Sequence, residues 1–299
     1  NEVLVEDPAR EHRGSAGRDR LVAEIKKRSF DRALVFPTSF RSLWSSYRAG
    51  IPERLGYGGE LRSLMLTRIV PERRPHDEHQ IWKHLRLVEA AGAAVPARPD
   101  SSWEVSDTLR DAGRERLDET GWSGSPFLVA HVASFAHAAK RWPLPRFAGL
   151  FDALARARNF DTVLVGSAGE ADVNAQVHAL AREARILDLS GKSSLPELLG
   201  VLRSAALFVG NDSGISHLAA AVGIPTAVVF GPTDPDATRP WDGQRPDGSA
   251  ARITVIRKRP LCAPCRFAVC PIDHRCMEDI VVSDVLRGID RVLDEPLPA

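Results

Sequence analysis

The segment Asn211-Asp212-Ser213-Gly214-Ile215-Ser216-His217-Leu218-Ala219-Ala220-Ala221 limits the possible folds of this chain more than any other. An apolar run, Ala206 to Gly210, stands before it; Gly223-Ile224-Pro225 and a second apolar run, Thr226 to Phe230, follow. Strand, tight polar turn, short helix, turn and strand in that order make one βαβ unit. Three consecutive alanines let the helix lie close to the sheet. A polar turn that opens a helix aims unpaired N–H groups and a positive dipole end at whatever sits above it, so anions bind there. Asp212 and His217 add an acceptor and a titratable donor, more than a phosphate alone needs and suited to a sugar phosphate.

The same alternation runs through the back half. Strands are expected at 127–132, 161–166, 186–190, 206–210, 226–230 and 252–257, and helices at 144–158, 170–184, 194–203, 214–222 and 283–293. Strands alternating with helices of about 10–15 residues mean a parallel sheet covered on both faces. The front half reads as a strand at 2–6, a helix over 18–25, a buried strand at 32–36 and an amphipathic helix over 76–88 stopped by Gly92. A connector at 93–104 and a charged helix at 105–120 lead to Gly121-Trp122-Ser123-Gly124-Ser125-Pro126, the best linker composition. Two domains are therefore expected, 1–120 and 121–299.

At 299 residues and 43% hydrophobic, the chain has core enough for two domains of about 100–150 residues each. A net charge of +1 sets up no field that would recruit nucleic acid or membrane. No apolar run approaches the roughly 18 residues of a membrane span, and no signal peptide is visible, so a cytoplasmic protein is expected. No Gly-x-Gly-x-x-Gly follows a strand, which leaves a dinucleotide oxidoreductase without its fingerprint.

Lys140 follows the first strand of the back half, on the turn into the helix that Pro143 helps to start. In an open α/β sheet that turn lies at the carboxyl edge, where ligands bind, and a lysine there can meet the growing charge of a diphosphate leaving group. Standing alone, it would equally be a solvated surface lysine. Ser134, in the same loop, can donate to a phosphate oxygen. Glu170, on the turn after strand 161–166, can accept both hydroxyls of a ribose or serve the dipole of the helix it opens. Asp212 and Ser213 have the purely structural alternative of N-caps, and His217 that of a core histidine.

These residues, read with three further segments, resemble the family 9 glycosyltransferases, the bacterial heptosyltransferases of the lipopolysaccharide inner core. Ser134…Lys140-Arg141-Trp142-Pro143 is similar to the family's Ser…Lys-x-Trp-Pro segment. Ser39-Phe40-Arg41-Ser42-Leu43 with Ala49-Gly50-Ile51-Pro52-Glu53-Arg54-Leu55-Gly56-Tyr57 is similar to its acceptor-side segment, and the cysteine-rich stretch 262–277 to one in the same subgroup. The resemblance implies two Rossmann-like domains facing a cleft, the GT-B arrangement. The first would be an acceptor-side domain, here incomplete, and the second would bind the donor. It also places the family's opening strand–turn–helix–strand segment, with its acidic catalytic base, ahead of Asn1. The activity it implies is inverting transfer of L-glycero-D-manno-heptose from an ADP donor to an anionic lipopolysaccharide core acceptor at the membrane surface, with no cofactor required. A family member using another nucleotide sugar, and a non-catalytic nucleotide-sugar-binding relic, are the alternatives.

On that resemblance Lys140 and Asp212 carry charge stabilisation and positioning. Ser134, Lys140, Glu170, Asp212, Ser213, Gly214, Ile215 and His217 contact the donor, the Gly214 and Ile215 amides lying on its phosphates. Between residues 41 and 74 stand seven arginines (41, 48, 54, 62, 68, 73, 74), three acids and no lysine. Arginine forks carboxylates and phosphates bidentately, and Arg41 and Arg62 are the acceptor candidates, with a solvated face as the rival reading. Cys262, Cys265, Cys270 and Cys276, with His274, satisfy the ligand count of a structural zinc or iron–sulfur site, although the spacing is not the usual paired knuckle. Disulfides and free structural thiols are the other readings.

Overall fold

A computed structural model of the chain describes residues 3–7, 11–72, 78–134, 138–243, 251–265 and 267–293. Phe135, Ala136 and His137 of the lysine loop, Arg73 and Arg74 of the arginine run, and the expected helix start at His76 lie outside the described residues. The chain divides into two compact units, 1–97 and 98–299.

The first unit contains α1 (Gly14–Lys27), β1 (Arg32–Val35), α2 (Phe40–Arg48), β2 (Glu53–Tyr57), a 3₁₀ turn (Glu60–Met65), β3 (Arg68–Val70) and α3 (Gln80–Ala90). Its strands form a parallel sheet in the order β1-β2-β3. Ser39 starts α2 by accepting from the Ser42 amide, which satisfies one of the orphan donors of the first turn. Residues 3–6, expected as part of a strand, are irregular: among the described residues no strand pairs with them, and Val3 and Val5 are exposed.

The second unit contains α4 (Asp107–Asp118), β4 (Phe127–His131), α5 (Leu144–Arg158), β5 (Asp161–Leu164), α6 (Ala171–Leu180), β6 (Ile186–Asp188) and α7 (Leu195–Ser204). It continues with β7 (Leu207–Asn211), α8 (Gly214–Val222), β8 (Thr226–Phe230), α9 (Pro235–Thr238), β9 (Ile253–Arg257), α10 (Arg275–Glu278) and α11 (Val282–Leu293). The six strands are all parallel, in the order β6-β5-β4-β7-β8-β9. Side chains alternate along each strand between two cores. Leu128, Ala130, Leu207 and Val209 point to the α5 and α11 side, whereas Phe127, Val129 and Phe208 point to the α7 and α8 side.

The domain boundary expected at 120–121 falls inside this unit. The reason is a close helix crossing: a Cβ on Gly200 of α7 would strike the Leu109 carbonyl of α4, and one on Gly113 would strike the Gly200 backbone. Two facing glycines let the helix backbones touch, and Arg116 Nη2 donates to Glu197 Oε1 at 2.7 Å across the same seam. Helix α4 is thereby part of the second unit, and 121–126 is an internal turn.

Candidate functional site

In the six-stranded sheet the chain runs outward from β4 through β5 to β6, then returns to β7 and runs the other way to β8 and β9. The reversal between β4 and β7 is a topological switch point, and ligands of open α/β sheets bind in the crevice at the carboxyl ends of the strands there. His131 ends β4 and Asn211 ends β7, so residues 131–142 and 211–217 are the segments that the topology brings to that crevice. The backbones are close: a Cβ on Gly210, the register partner of His131, would lie 2.7 Å from the His131 carbonyl oxygen.

Asn211 ties the two segments together. Fully buried, it donates from Nδ2 to the Val132 carbonyl at 2.8 Å and accepts from the Trp142 amide at 3.0 Å. Trp142 is itself fully buried, with its indole N–H on the Ile280 carbonyl, so the tryptophan of the Lys-x-Trp-Pro segment is an anchor in the core. Between these fixed points, the 3₁₀ turn Ala138–Lys140 delivers Lys140, whose Nζ stands 2.7 Å from Asp212 Oδ2. Thr233, on the turn after β8, donates to the same oxygen at 2.7 Å. Ser134 is buried, and its carbonyl accepts from Arg141 Nη2 at 3.0 Å. A cavity of about 190 Å³ beside Thr233 is lined by Gly231, Asp234, Arg257, Arg259 and Pro264 among others.

Glu170 is committed within the protein on both oxygens. Its Oε2 accepts from the Ser167 amide at 2.8 Å and hydroxyl at 2.9 Å in a capping box, and Oε1 lies 3.4 Å from His131 Nε2. The bond from His131 and those from Ser167, against an opposing desolvation, hold its carboxyl down at about 2. The His131 ring reaches Ser213 Oγ with its other nitrogen, Nδ1, at 3.0 Å. Ser213 is the N-cap residue of α8 by position, yet its hydroxyl caps no amide of the helix; the contact to His131 has taken it. Gly214 and Ile215 open α8, and His217, one turn further on, is exposed.

In the first unit Arg62 and Arg41 differ sharply. Arg41 is exposed and paired with Glu6 at 2.7 Å. Arg62 is buried: Nη1 donates to the Pro37 carbonyl at 3.0 Å, while Nε and Nη2 have no hydrogen-bond partner among the described residues. Desolvation pulls its guanidinium below the ordinary arginine value.

The cysteines are not gathered into a ligand set. Among the described residues no group of three or more His, Cys, Asp or Glu is arranged to hold a metal ion. All four are free thiols; Cys262 is exposed and Cys276 is buried, where loss of solvent pushes its thiol up to about 11. Their loop grips the residue next to Lys140: the Ala139 amide donates to the Ala268 carbonyl at 3.0 Å, and His274 Nε2 lies 2.6 Å from the Ala139 carbonyl.

The sequence model of "Glycosyltransferase family 9 (heptosyltransferase)" matches residues 18–274. The chain belongs to glycosyltransferase family 9. Among curated members, lipopolysaccharide heptosyltransferase 2 of Escherichia coli (strain K12) is 26% identical over 231 residues, 75% of this chain and 66% of that protein. The chain thus spans just under two thirds of the length of that relative. The solved structure of E. coli ADP-heptose lipopolysaccharide heptosyltransferase II superposes with a TM-score of 0.74 at 25% identity, covering 92% of this chain and 80% of that one. A family 9 glycosyltransferase from Veillonella parvula DSM 2008 shares the fold, with a TM-score of 0.80 at 19% identity over 97% of this chain and 81% of its own.

Of the candidates drawn from the sequence, the structure sets Lys140 against Asp212 and Ser213 against His131; His131, Thr233 and Asn211 were not among those candidates. Each of the three sits at the end of an apolar strand or on the turn after it. A polar residue at the carboxyl end of a buried parallel strand is the signal that would have found them.

Proposed function

We propose that this chain transfers L-glycero-D-manno-heptose from an ADP donor to the lipopolysaccharide inner core, with inversion at the anomeric carbon. The observation that carries the reading is the Lys140–Asp212 pair, bolstered by Thr233, at the switch point beside the N-terminus of α8. The ADP diphosphate lies across that helix start, facing the Gly214 and Ile215 amides, with Lys140 Nζ on its outer oxygens. The acceptor hydroxyl oxygen attacks the anomeric carbon as the bond to the β-phosphate oxygen breaks. The bonding electron pair stays with ADP, and the hydroxyl proton passes to a base. Lys140 meets charge that grows in the transition state, which is where such a group contributes most. Asp212 holds Lys140 in place and accepts from sugar hydroxyls. Arg62, whose Nε and Nη2 have no partner among the described residues, is the better of the two arginines for an acceptor carboxylate or phosphate. Glu170 is bonded to Ser167 and His131 and is proposed to hold the edge of the site, with the remaining acceptor capacity of Oε1 turned to the donor ribose.

The naming of similar proteins as lipopolysaccharide heptosyltransferases supports the acceptor class. Among the described residues no helix is long and apolar enough to cross a membrane, and the reaction is proposed to run on the cytoplasmic face of the inner membrane. The test is a donor panel of ADP-heptose, GDP-sugar and UDP-sugar with a heptosylated core acceptor, products being read by mass spectrometry. Transfer from ADP-heptose alone is expected. Transfer from a GDP- or UDP-sugar in preference to it would overturn the donor assignment.

A further inference from the structure

His131 is used by nothing in the mechanism above, although it is buried and bridges two elements of the site. Its ring lies between Glu170 Oε1, 3.4 Å from Nε2, and Ser213 Oγ, 3.0 Å from Nδ1. The chemistry of the partners fixes the protons. Glu170 is ionised, and a carboxylate can only accept, so Nε2 of the neutral ring carries its hydrogen. Nδ1 is then a bare lone pair, and the Ser213 hydroxyl must donate to it. A hydroxyl has one proton. While the ring is neutral, Ser213 therefore turns only acceptor lone pairs toward the start of α8, the wrong polarity for an anion.

We infer that His131 is a positioning residue that takes up a proton when a nucleoside diphosphate binds at the α8 turn, and so turns the Ser213 hydroxyl outward as a donor. The imidazolium donates from Nε2 to Glu170 and from Nδ1 to Ser213 Oγ. The serine proton, released from the ring, points at the phosphate. No bond other than hydrogen bonds changes, and the proton comes from solvent. The charged groups around the ring suit this. Glu170 stabilises the cation, and Lys140, the cation of the neighbouring loop, is paired with Asp212. The neighbouring strands bring Val165 and Gly210 to the level of His131, neither of them charged, and His217 lies one turn further into α8. That Ser213 leaves the helix uncapped is the independent sign that its hydroxyl serves the ring and the turn.

This inference rests on the proposed ADP-donor reading, and the experiment separates the two. ADP is titrated into the protein by calorimetry near neutral pH in two buffers of different ionisation enthalpy, which counts protons bound per ligand. The wild type and His131→Gln are compared, so that protons gained or lost by ADP itself cancel. The wild type is expected to take up on the order of 0.3–1 proton more than H131Q. Equal counts with ADP bound to both would overturn the proton relay and leave the donor reading standing; no binding to the wild type would overturn both. Should H131Q fail to fold, Ser213→Ala keeps the histidine and gives the same test. Its uptake is expected to fall below that of the wild type, and an undiminished count would refute the hydroxyl's part.

Discussion

Replacing Lys140 by Met keeps most of the apolar stem and removes the charge. In the folded chain Nζ stands 2.7 Å from Asp212 Oδ2, with the two side chains 20% and 6% exposed. At that distance and an effective dielectric of about 20, the charges attract by about 6 kcal/mol. Desolvation takes back much of that gain, so the cost of the variant arises chiefly from the carboxylate left behind. An uncompensated buried charge costs about 3–5 kcal/mol; Lys140 is one-fifth exposed and Thr233 still donates to Asp212, which lowers the expectation to about 2–3 kcal/mol. Chemical denaturation of K140M measures it, and K140M/D212N, which neutralises the orphan, should recover most of the loss. A K140M protein as stable as its parent, or no rescue by Asp212→Asn, would refute the electrostatic reasoning. In the transfer assay kcat should fall on the order of 100-fold, with a smaller change in donor KM, because the charge that Lys140 meets develops during reaction. Unchanged turnover would remove Lys140 from the site.

The α4–α7 crossing predicts that Gly200→Ala costs about 1–3 kcal/mol through overpacking, seen as a fall of several degrees in Tm; an unshifted melt would mean that the helices are not in backbone contact. Glu170 has a folded value of about 2, below its ordinary 4.5, so its stabilising effect is complete above pH 4.5 and fades as pH falls from there toward 2. Glu170→Gln should therefore flatten the acid limb of the stability curve by at most about 3 kcal/mol, and an unaltered limb would contradict the His131 and Ser167 bonds. Alkylation of the native protein near neutral pH should label Cys262 first and Cys276 last, as peptide mapping would read. Early labelling of Cys276 would contradict its burial and its thiol at about 11.

The second unit was legible because its strands are short apolar runs bounded by turn residues, and helices 144–158 and 214–222 appear with the expected limits. The first unit was less so. Strand β2 begins with Glu53-Arg54 and contains Gly56, so neither its composition nor its alternation reads as a strand; its pairing to β1, with Arg32 Nε on Glu53 Oε2, makes it one. A boundary was expected at 120–121 because 121–126 has the composition of a linker; the contact that joins α4 to the second unit, Gly113 against Gly200, is long-range and leaves no local mark. In the site, single-residue chemistry could be read off, but pairings could not. Nothing local in Glu170 says that His131, 39 positions earlier, will take one of its oxygens. Nothing in Ser213 says that it will forgo its cap.

The loop that carries the cysteines holds Ala139 from both sides, through the Ala268 carbonyl and the His274 ring, one residue before Lys140. A mutational scan scored only by product formed would therefore mark positions 268–274 as if they belonged to the chemistry. A scan scored by yield of folded protein would pass over many of the same changes. Comparing the two scores, position by position, would map the brace separately from the groups it braces.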